Sequence, residues 1–250
     1  MGCLWELKGT LRHSWQSACL FSREKMKKFI QVAGIKDAAE AQMLIECGVQ
    51  YLGFPLRLAV HQQDLSEEEA AALIRSLQPP TCGVLITYLC DADEIAHFCQ
   101  HLGVSIVQLH GAITRTELSR LKALAPHRSI IKSLIVRGNN LTELEEMVSD
   151  LIPYVDAFIT DTFDPATGAC GATGKTHDWH VSRKLVERSS RPVILAGGLN
   201  PQNVCEAMRV VRPAGVDVHT GVEDRNGRKS RPLVEAFVAE ARKGFNALRH

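Results

Sequence analysis

The feature that most constrains the fold of this chain is an alternation of short apolar runs with amphipathic stretches. Eight apolar runs occur from Phe29 onward, and they are nearly continuous rather than interrupted at every second residue. Such runs are typical of parallel strands buried on both faces. The runs are Phe29–Val32, Tyr51–Leu56, Gly83–Leu89, Ser105–Leu109, Ser129–Leu134, Ala157–Thr160, Pro192–Leu195 and Gly215–Val218.

Signals for helix starts lie between the apolar runs. Five of them pair an N-cap type residue with a Glu three positions later, the pattern of a capping box or its Asx equivalent. The pairs are Asp37 with Glu40, Ser66 with Glu69, Asp91 with Glu94, Thr114 with Glu117 and Asn140 with Glu143. Asn200 followed by Pro201 predicts a further start. Eight strands alternating with eight helices predict an α/β protein, a single (β/α)8 TIM barrel over residues 26–250.

An open doubly wound sheet is the alternative architecture. Such a sheet would carry a dinucleotide fingerprint after its first strand, and GxGxxG is absent from the chain. The sequence therefore gives no support for a nicotinamide cofactor, and we predict no cofactor. The charges are nearly balanced, with 29 Lys and Arg against 28 Asp and Glu. This balance argues against nucleic-acid and membrane-surface partners but leaves room for a local anion site.

The chain contains eight cysteines. Cys47, Cys99 and Cys205 lie on the apolar faces of predicted helices, where a free Cys behaves as a small hydrophobic residue. No Cys or His cluster has zinc spacing, so no metal site is predicted. We expect free thiols and a reducing, cytoplasmic location. Residues 1–25 lack clear periodicity; they form either a loosely ordered extension or a segment upstream of a true start at Met26.

The active site of a barrel lies at the carboxyl ends of its strands. Glycine-containing turns follow the last two strands, with Gly197 and Gly198 after strand 7 and Thr220 and Gly221 after strand 8. Barrels commonly bind phosphate at this pair of strands, because glycine lets backbone N–H groups approach an anion. The sequence therefore predicts a phosphate site there, with two tight turns as the alternative.

Three polar residues end other strands. Asp161 follows an apolar run, and burial would raise the pKa of its carboxyl and make it a usable general acid; a helix cap or salt bridge is the alternative. Asp217 resembles Asp161, or orients a neighbouring loop. His110 follows strand 4 and is either a substrate contact or a hydrogen-bonding wall residue.

Taken together, five blocks resemble phosphoribosylanthranilate isomerase in order and spacing, from about Phe29 to Phe245. The blocks are Val107–Gly111, Asp161, Gly171–Trp179, Leu195–Val204 and Gly215–Glu223. The resemblance implies a metal-free Amadori rearrangement in tryptophan biosynthesis, acting on a phosphorylated sugar. It also implies that Asp161 is the general acid and that Asp217 positions the substrate.

The chain departs from this family at the general base and at the residue that binds the anthranilate carboxylate. The family's first strand ends Lys-Ile-Cys-Gly and its Cys is the general base, whereas this chain has Ala33 at that position. The family's Arg for the anthranilate carboxylate is replaced by Gln63, and its serines after strand 8 by His219 and Thr220. Loss of a general base costs about 10²–10⁴ in rate.

Several hypotheses remain open at this point. Cys170, His61 or His219 could replace the missing base, with Cys170 on a glycine-rich loop. A non-catalytic sugar-phosphate-binding barrel would also retain the phosphate glycines without a base. A related isomerase or lyase with a changed substrate is the third possibility, since Lys132 in strand 5 could face inward as a Schiff-base lysine.

Overall fold

A computed structural model describes residues 28–58, 63–138, 140–162, 174 and 176–248. Eight parallel strands pair in chain order and close with β1 beside β8, so the predicted TIM barrel is confirmed. The strands are β1 Phe29–Ala33, β2 Tyr51–Pro55, β3 Cys82–Thr87, β4 Ile106–Leu109, β5 Ser129–Val136, β6 Ala157–Thr162, β7 Val193–Leu195 and β8 Gly215–Val218. The predicted extension, residues 1–25, lies outside the described residues.

A helix follows each strand and covers the outside of the barrel. The helices are α1 Ala38–Glu46, α2 Glu67–Ser76, α3 Ala92–Leu102, α4 Arg115–Leu124, α5 Leu141–Leu151, α6 Trp179–Arg188, α7 Val204–Val211 and α8 Arg231–Ala247, with a 3₁₀ turn at Thr220–Val222. None of the helices in the described ranges is long and apolar enough to cross a bilayer.

Alternation along each strand separates two layers of core. In β1, Phe29 and Ala33 belong to the cluster inside the barrel, whereas Ile30 and Val32 belong to the larger cluster beneath the helices. Successive side chains of a strand point to opposite faces, so Gln31 shares the inner face with Phe29 and Ala33. The same alternation directs the inner-face side chains at the strand ends toward the barrel mouth.

Four of the five predicted caps are confirmed. Asp37, Ser66, Asp91 and Thr114 each accept a hydrogen bond from the backbone N–H of the Glu three residues later. Asn140 lies at the N-cap position of α5 as predicted, but the predicted capping hydrogen bond is absent, because its side chain accepts from Arg137 N and donates to Ile135 O.

The predicted helix start at Asn200 is also wrong. Asn200 Oδ1 accepts from the N–H groups of Gln202 and Asn203, which makes a turn ahead of the helix. Helix α7 then begins at Val204, with Asn203 at the N-cap position. The prediction placed the helix start one turn too early, because Asn followed by Pro is also typical of turns.

Two further predictions are corrected by the structure. Lys132 lies between Ile130 and Leu134, which pack beneath the helices, so alternation places it on the outer face of β5 rather than inside the barrel. Its Nζ donates to the carbonyl oxygens of Leu109 (3.3 Å) and Ser133 (3.0 Å). Cys82 is disulfide-bonded, contrary to the prediction of free thiols, whereas Cys47, Cys90, Cys99 and Cys205 are free.

Candidate active site

A polar cavity of about 300 Å³ lies at the carboxyl ends of β6, β7 and β8. Most of the residues predicted from the sequence for acid chemistry and phosphate binding line it. The lining residues are Asp161, Gly174, Ala196, Gly197, Gly198, Leu199, Asp217, Val218, His219, Thr220 and Gly221.

Asp161 is a buried carboxyl group on the inner face of β6, with 6% of its surface exposed. Burial raises the pKa of Asp161 to about 7, and the neighbouring Asp217 carboxylate raises it further. The Thr162 N–H donates to Asp161 Oδ1 at 2.8 Å and opposes this shift. A carboxyl group with a pKa near 7 is protonated in a substantial fraction of molecules at neutral pH and can donate that proton, which is the property of a general acid.

Asp217 occupies the matching position on β8 and is 8% exposed. Burial raises the pKa of Asp217 to about 7, while a hydrogen bond from Gln31 and the charge of Lys229 lower it. Its Oδ1 has no hydrogen-bond partner within the described part of the chain. An unpaired buried oxygen facing a polar cavity is suited to accept a hydrogen bond from a ligand hydroxyl.

The two predicted turns form the far wall of the cavity. Gly197 and Gly198 have φ values of +93° and +62°, in the region that favours glycine. A side chain at Gly221 would place its Cβ 1.9 Å from the carbonyl oxygen of Leu199, so the turns after β7 and β8 are in direct contact. Asn203 Nδ2 donates to Gly198 O at 3.0 Å and fixes the first turn. The turns after β7 and β8 therefore lie close together at the carboxyl end of the barrel.

His219 leaves the end of β8 and reaches across to the end of β1. A Cβ atom built on Gly34 would lie 2.2 Å from His219 Nε2, so the imidazole rests directly on the backbone of Gly34. Ala33, the preceding residue, is 3% exposed and belongs to the cluster inside the barrel. Its methyl group has no proton acceptor, as the sequence indicated.

The carboxylate of Glu223 and the ammonium group of Lys229 lie next to His219. Glu223 Oε1 lies 3.5 Å from His219 Nε2 and 2.6 Å from Lys229 Nζ. Lys229 Nζ also donates to the carbonyl oxygen of His219 at 3.1 Å. Burial lowers the pKa of Lys229, and Glu223 opposes that shift. Lys229 therefore holds both the backbone of His219 and the carboxylate that faces its ring.

Two other sequence-predicted residues, Gln63 and His110, are not among the residues that line this cavity. Gln63 is exposed, and its Oε1 accepts from the backbone N–H of Arg57 at 3.2 Å. His110 is half-buried at the end of β4, and its Nε2 lies 2.8 Å from Gln108 Nε2. His61 and Cys170, two of the candidate replacement bases, fall outside the described residues.

Two buried polar chains were not anticipated from the sequence. In the first, Gln31 Nε2 donates to Gln108 Oε1 at 3.0 Å, which links the interior of β1 to His110. Gln31 interrupts an apolar run, and that is the signal that could have identified it. In the second, His177 bridges Thr162 (2.9 Å) and Ser182 (2.6 Å), and burial lowers the pKa of His177 to about 4.

Comparison with known proteins shows that this chain is similar to the members of one family. The family model of N-(5'phosphoribosyl)anthranilate (PRA) isomerase matches residues 30–240. N-(5'-phosphoribosyl)anthranilate isomerase 2 of Methanosarcina mazei is 40% identical over 222 residues, which cover 88% of this chain and 97% of the relative.

Solved structures agree with the sequence relatives. The phosphoribosyl anthranilate isomerase of Thermococcus kodakaraensis is 30% identical with a TM-score of 0.70, covering 86% of this chain and 99% of that one. Another phosphoribosyl anthranilate isomerase, solved in complex with reduced 1-(o-carboxyphenylamino)-1-deoxyribulose 5-phosphate, is 25% identical with a TM-score of 0.70, covering 86% and 98%. The chain belongs to the N-(5'-phosphoribosyl)anthranilate isomerase family.

Proposed function

We propose that this chain isomerises N-(5'-phosphoribosyl)anthranilate to the corresponding 1-amino-1-deoxyketose phosphate. The observation that carries the proposal is the buried carboxyl of Asp161, whose pKa is raised to about 7, in the same cavity as the glycine turns after β7 and β8. A relative with the same fold holds a reduced aminoketose phosphate, which carries both a phosphate group and the product's carbon skeleton. The cavity thus combines a proton donor with an anion site.

Asp161 acts first in the proposed reaction. It donates its proton to the ring oxygen of the ribose, and the bond between C1 and that oxygen breaks with its electron pair moving to oxygen. The amine nitrogen forms a double bond to C1 and gives a protonated Schiff base. The pKa near 7 matches this role, because a general acid works best when its pKa lies close to the working pH.

The remaining lining groups bind the substrate in this proposal. Backbone N–H groups of Gly197, Gly198 and the turn at Thr220 and Gly221 take the phosphate. Asp217 Oδ1, which lacks a partner within the described residues, accepts a hydroxyl of the sugar. Binding the phosphate at one end orients the reacting carbons toward Asp161, and orientation alone supplies a large part of a catalytic rate.

The test is incubation of the purified chain with N-(5'-phosphoribosyl)anthranilate. We expect loss of the substrate's fluorescence in proportion to enzyme concentration, and NMR should identify an aminoketose of the same mass as the product. Binding of the substrate without turnover would contradict the proposal and favour the non-catalytic barrel, for which the absence of a proton acceptor at Ala33 is the supporting observation.

A further inference from the structure

The second half of the proposed reaction needs a proton acceptor. After the sugar ring opens, the proton on C2 must be removed before the double bond can shift. Three titratable side chains line the cavity within the described ranges, namely Asp161, Asp217 and His219. Asp161 is committed to the ring oxygen, and Asp217 is assigned to a hydroxyl of the sugar in the proposed function.

His219 has the position that such an acceptor requires. Its side chain is 25% exposed, whereas Asp217 as a whole residue is 8% exposed. The imidazole lies on Gly34 at the end of β1, across the barrel mouth from Asp161 on β6. A sugar bound between the ends of β1 and β6 would have His219 on one side of its reacting carbons and Asp161 on the other.

The neighbours of His219 favour its acting as a base. Glu223 Oε1 lies 3.5 Å from Nε2 and stabilises the positive charge that the ring gains with a proton. Lys229 holds Glu223 at 2.6 Å and the His219 carbonyl at 3.1 Å, and its own side chain is 0% exposed. A carboxylate beside an imidazole fixes the orientation of the ring.

We propose that His219 is the general base of the isomerisation and that Glu223 is its positioning residue, an inference that rests on the proposed function. The imidazole takes the C2 proton; the C2–H electron pair forms the C1=C2 bond, and the π pair of the C=N bond returns to nitrogen. The resulting enol becomes a ketone when protonated His219 returns a proton to C1 and the enol O–H proton passes to solvent. Solvent then reprotonates Asp161, so protons and electrons balance.

The test compares wild type with His219→Ala and with the matched control His97→Ala, an exposed histidine of α3. We expect His219→Ala to lower kcat by about 10²–10⁴, the loss typical of a general base, with little change in KM. The control should keep the wild-type rate. Added imidazole should restore activity to His219→Ala in proportion to its concentration, and should not restore Asp161→Asn.

A merely structural role for His219 would raise KM and would give no response to imidazole, which would overturn the proposal. A wild-type kcat in His219→Ala would also overturn the proposal. A loss of activity in Cys170→Ser that exceeds the loss in His219→Ala would overturn it as well. If His219→Ala fails to fold by circular dichroism, His219→Asn keeps a polar ring-sized side chain and should show the same loss of kcat. An inactive wild type would instead refute the proposed function itself, so the two failures are distinguishable.

Discussion

At the scale of single residues, the fold holds Asp161 as a neutral acid, and this has a consequence for stability. The pKa of Asp161 is raised from 3.8 to about 7 by burial. Between these values the folded chain keeps a proton that the unfolded chain releases, so stability falls as pH rises toward 7. The stabilising contribution is therefore complete below about pH 4 and lost above about pH 7.

The Asp161→Asn variant should remove this dependence. We expect its unfolding free energy, relative to wild type, to increase with pH between 4 and 7, by up to about 1.4 kcal/mol per pH unit. Urea unfolding at several pH values measures the difference, and Asp150→Asn, which removes an exposed carboxylate of α5, is the control. A difference that decreases with pH would show that the folded state favours the charged form of Asp161.

Ala33 allows a second test at this scale. In the His219→Ala background, Ala33→Cys should restore isomerase activity, because a thiolate at the end of β1 would face the same cavity mouth. The added sulfur is small, so crowding inside the barrel should be modest. Ala33→Ser is the matched control, since it has a similar size but a much weaker base. Isomerase activity is measured as loss of substrate fluorescence. Equal recovery of activity with Ala33→Ser and Ala33→Cys would contradict the account.

The direction of a side chain could be predicted from sequence where strand alternation decides it. Asp161 and Asp217 line the cavity and Ala33 lies in the cluster inside the barrel, because each belongs to the inner face of its strand. His219 follows a strand in a turn, where no period fixes the direction of a side chain. Its contact with Gly34, 185 positions earlier in the chain, depends on the pairing of β1 with β8 and could not be read from local pattern.

At the scale of single elements, the turn after β7 can be tested for anion binding. Gly198→Asp places a carboxylate against the proposed phosphate site, and Gly198→Asn adds a neutral group of the same shape. Asp and Asn both tolerate the φ of +62° at position 198 better than most residues do. The comparison of the two variants therefore isolates the effect of the charge. We expect sulfate or sugar-phosphate affinity to fall further in the Asp variant. Equal affinities in calorimetric titration would contradict the phosphate assignment.

Helix α2 provides a test of the local signals used to predict the helices. Ser66 Oγ accepts from Glu69 N, and Glu69 Oε2 accepts from Ser66 N at 2.9 Å, which completes a capping box. Ser66→Ala should cost about 0.5–2 kcal/mol of stability in urea unfolding, whereas Ser66→Thr should retain most of it. A neutral Ala substitution would show that tertiary packing alone sets the start of α2.

Capping signals were reliable only where the side chain was free to turn back on its helix. Asn140 has the correct spacing to Glu143, yet it bonds Ile135 O and Arg137 N in the loop after β5. Asn200 likewise forms a turn before α7 begins. Asn side chains compete for loop backbone groups as readily as for helix N–H groups, so sequence alone did not separate the two uses.

At the scale of the whole molecule, the barrel was predictable because eight apolar runs require burial on both faces. A closed parallel sheet inside a ring of helices is the arrangement that provides it, and all eight strands overlap their predicted runs. The division of the runs into inner and outer faces follows from closure, and sequence pattern alone left open whether Lys132 faces into the barrel. The fold was thus more predictable than the contacts within its mouth.

The central claim is that this barrel mouth isomerises its substrate with Asp161 as the acid. The most direct measurement is the initial rate of fluorescence loss of N-(5'-phosphoribosyl)anthranilate for wild type and Asp161→Asn at saturating substrate. We predict clear turnover by wild type and a fall of about 10²–10⁴ in the Asn variant, since an amide donates no proton at neutral pH. A variant that keeps the wild-type rate would contradict the account.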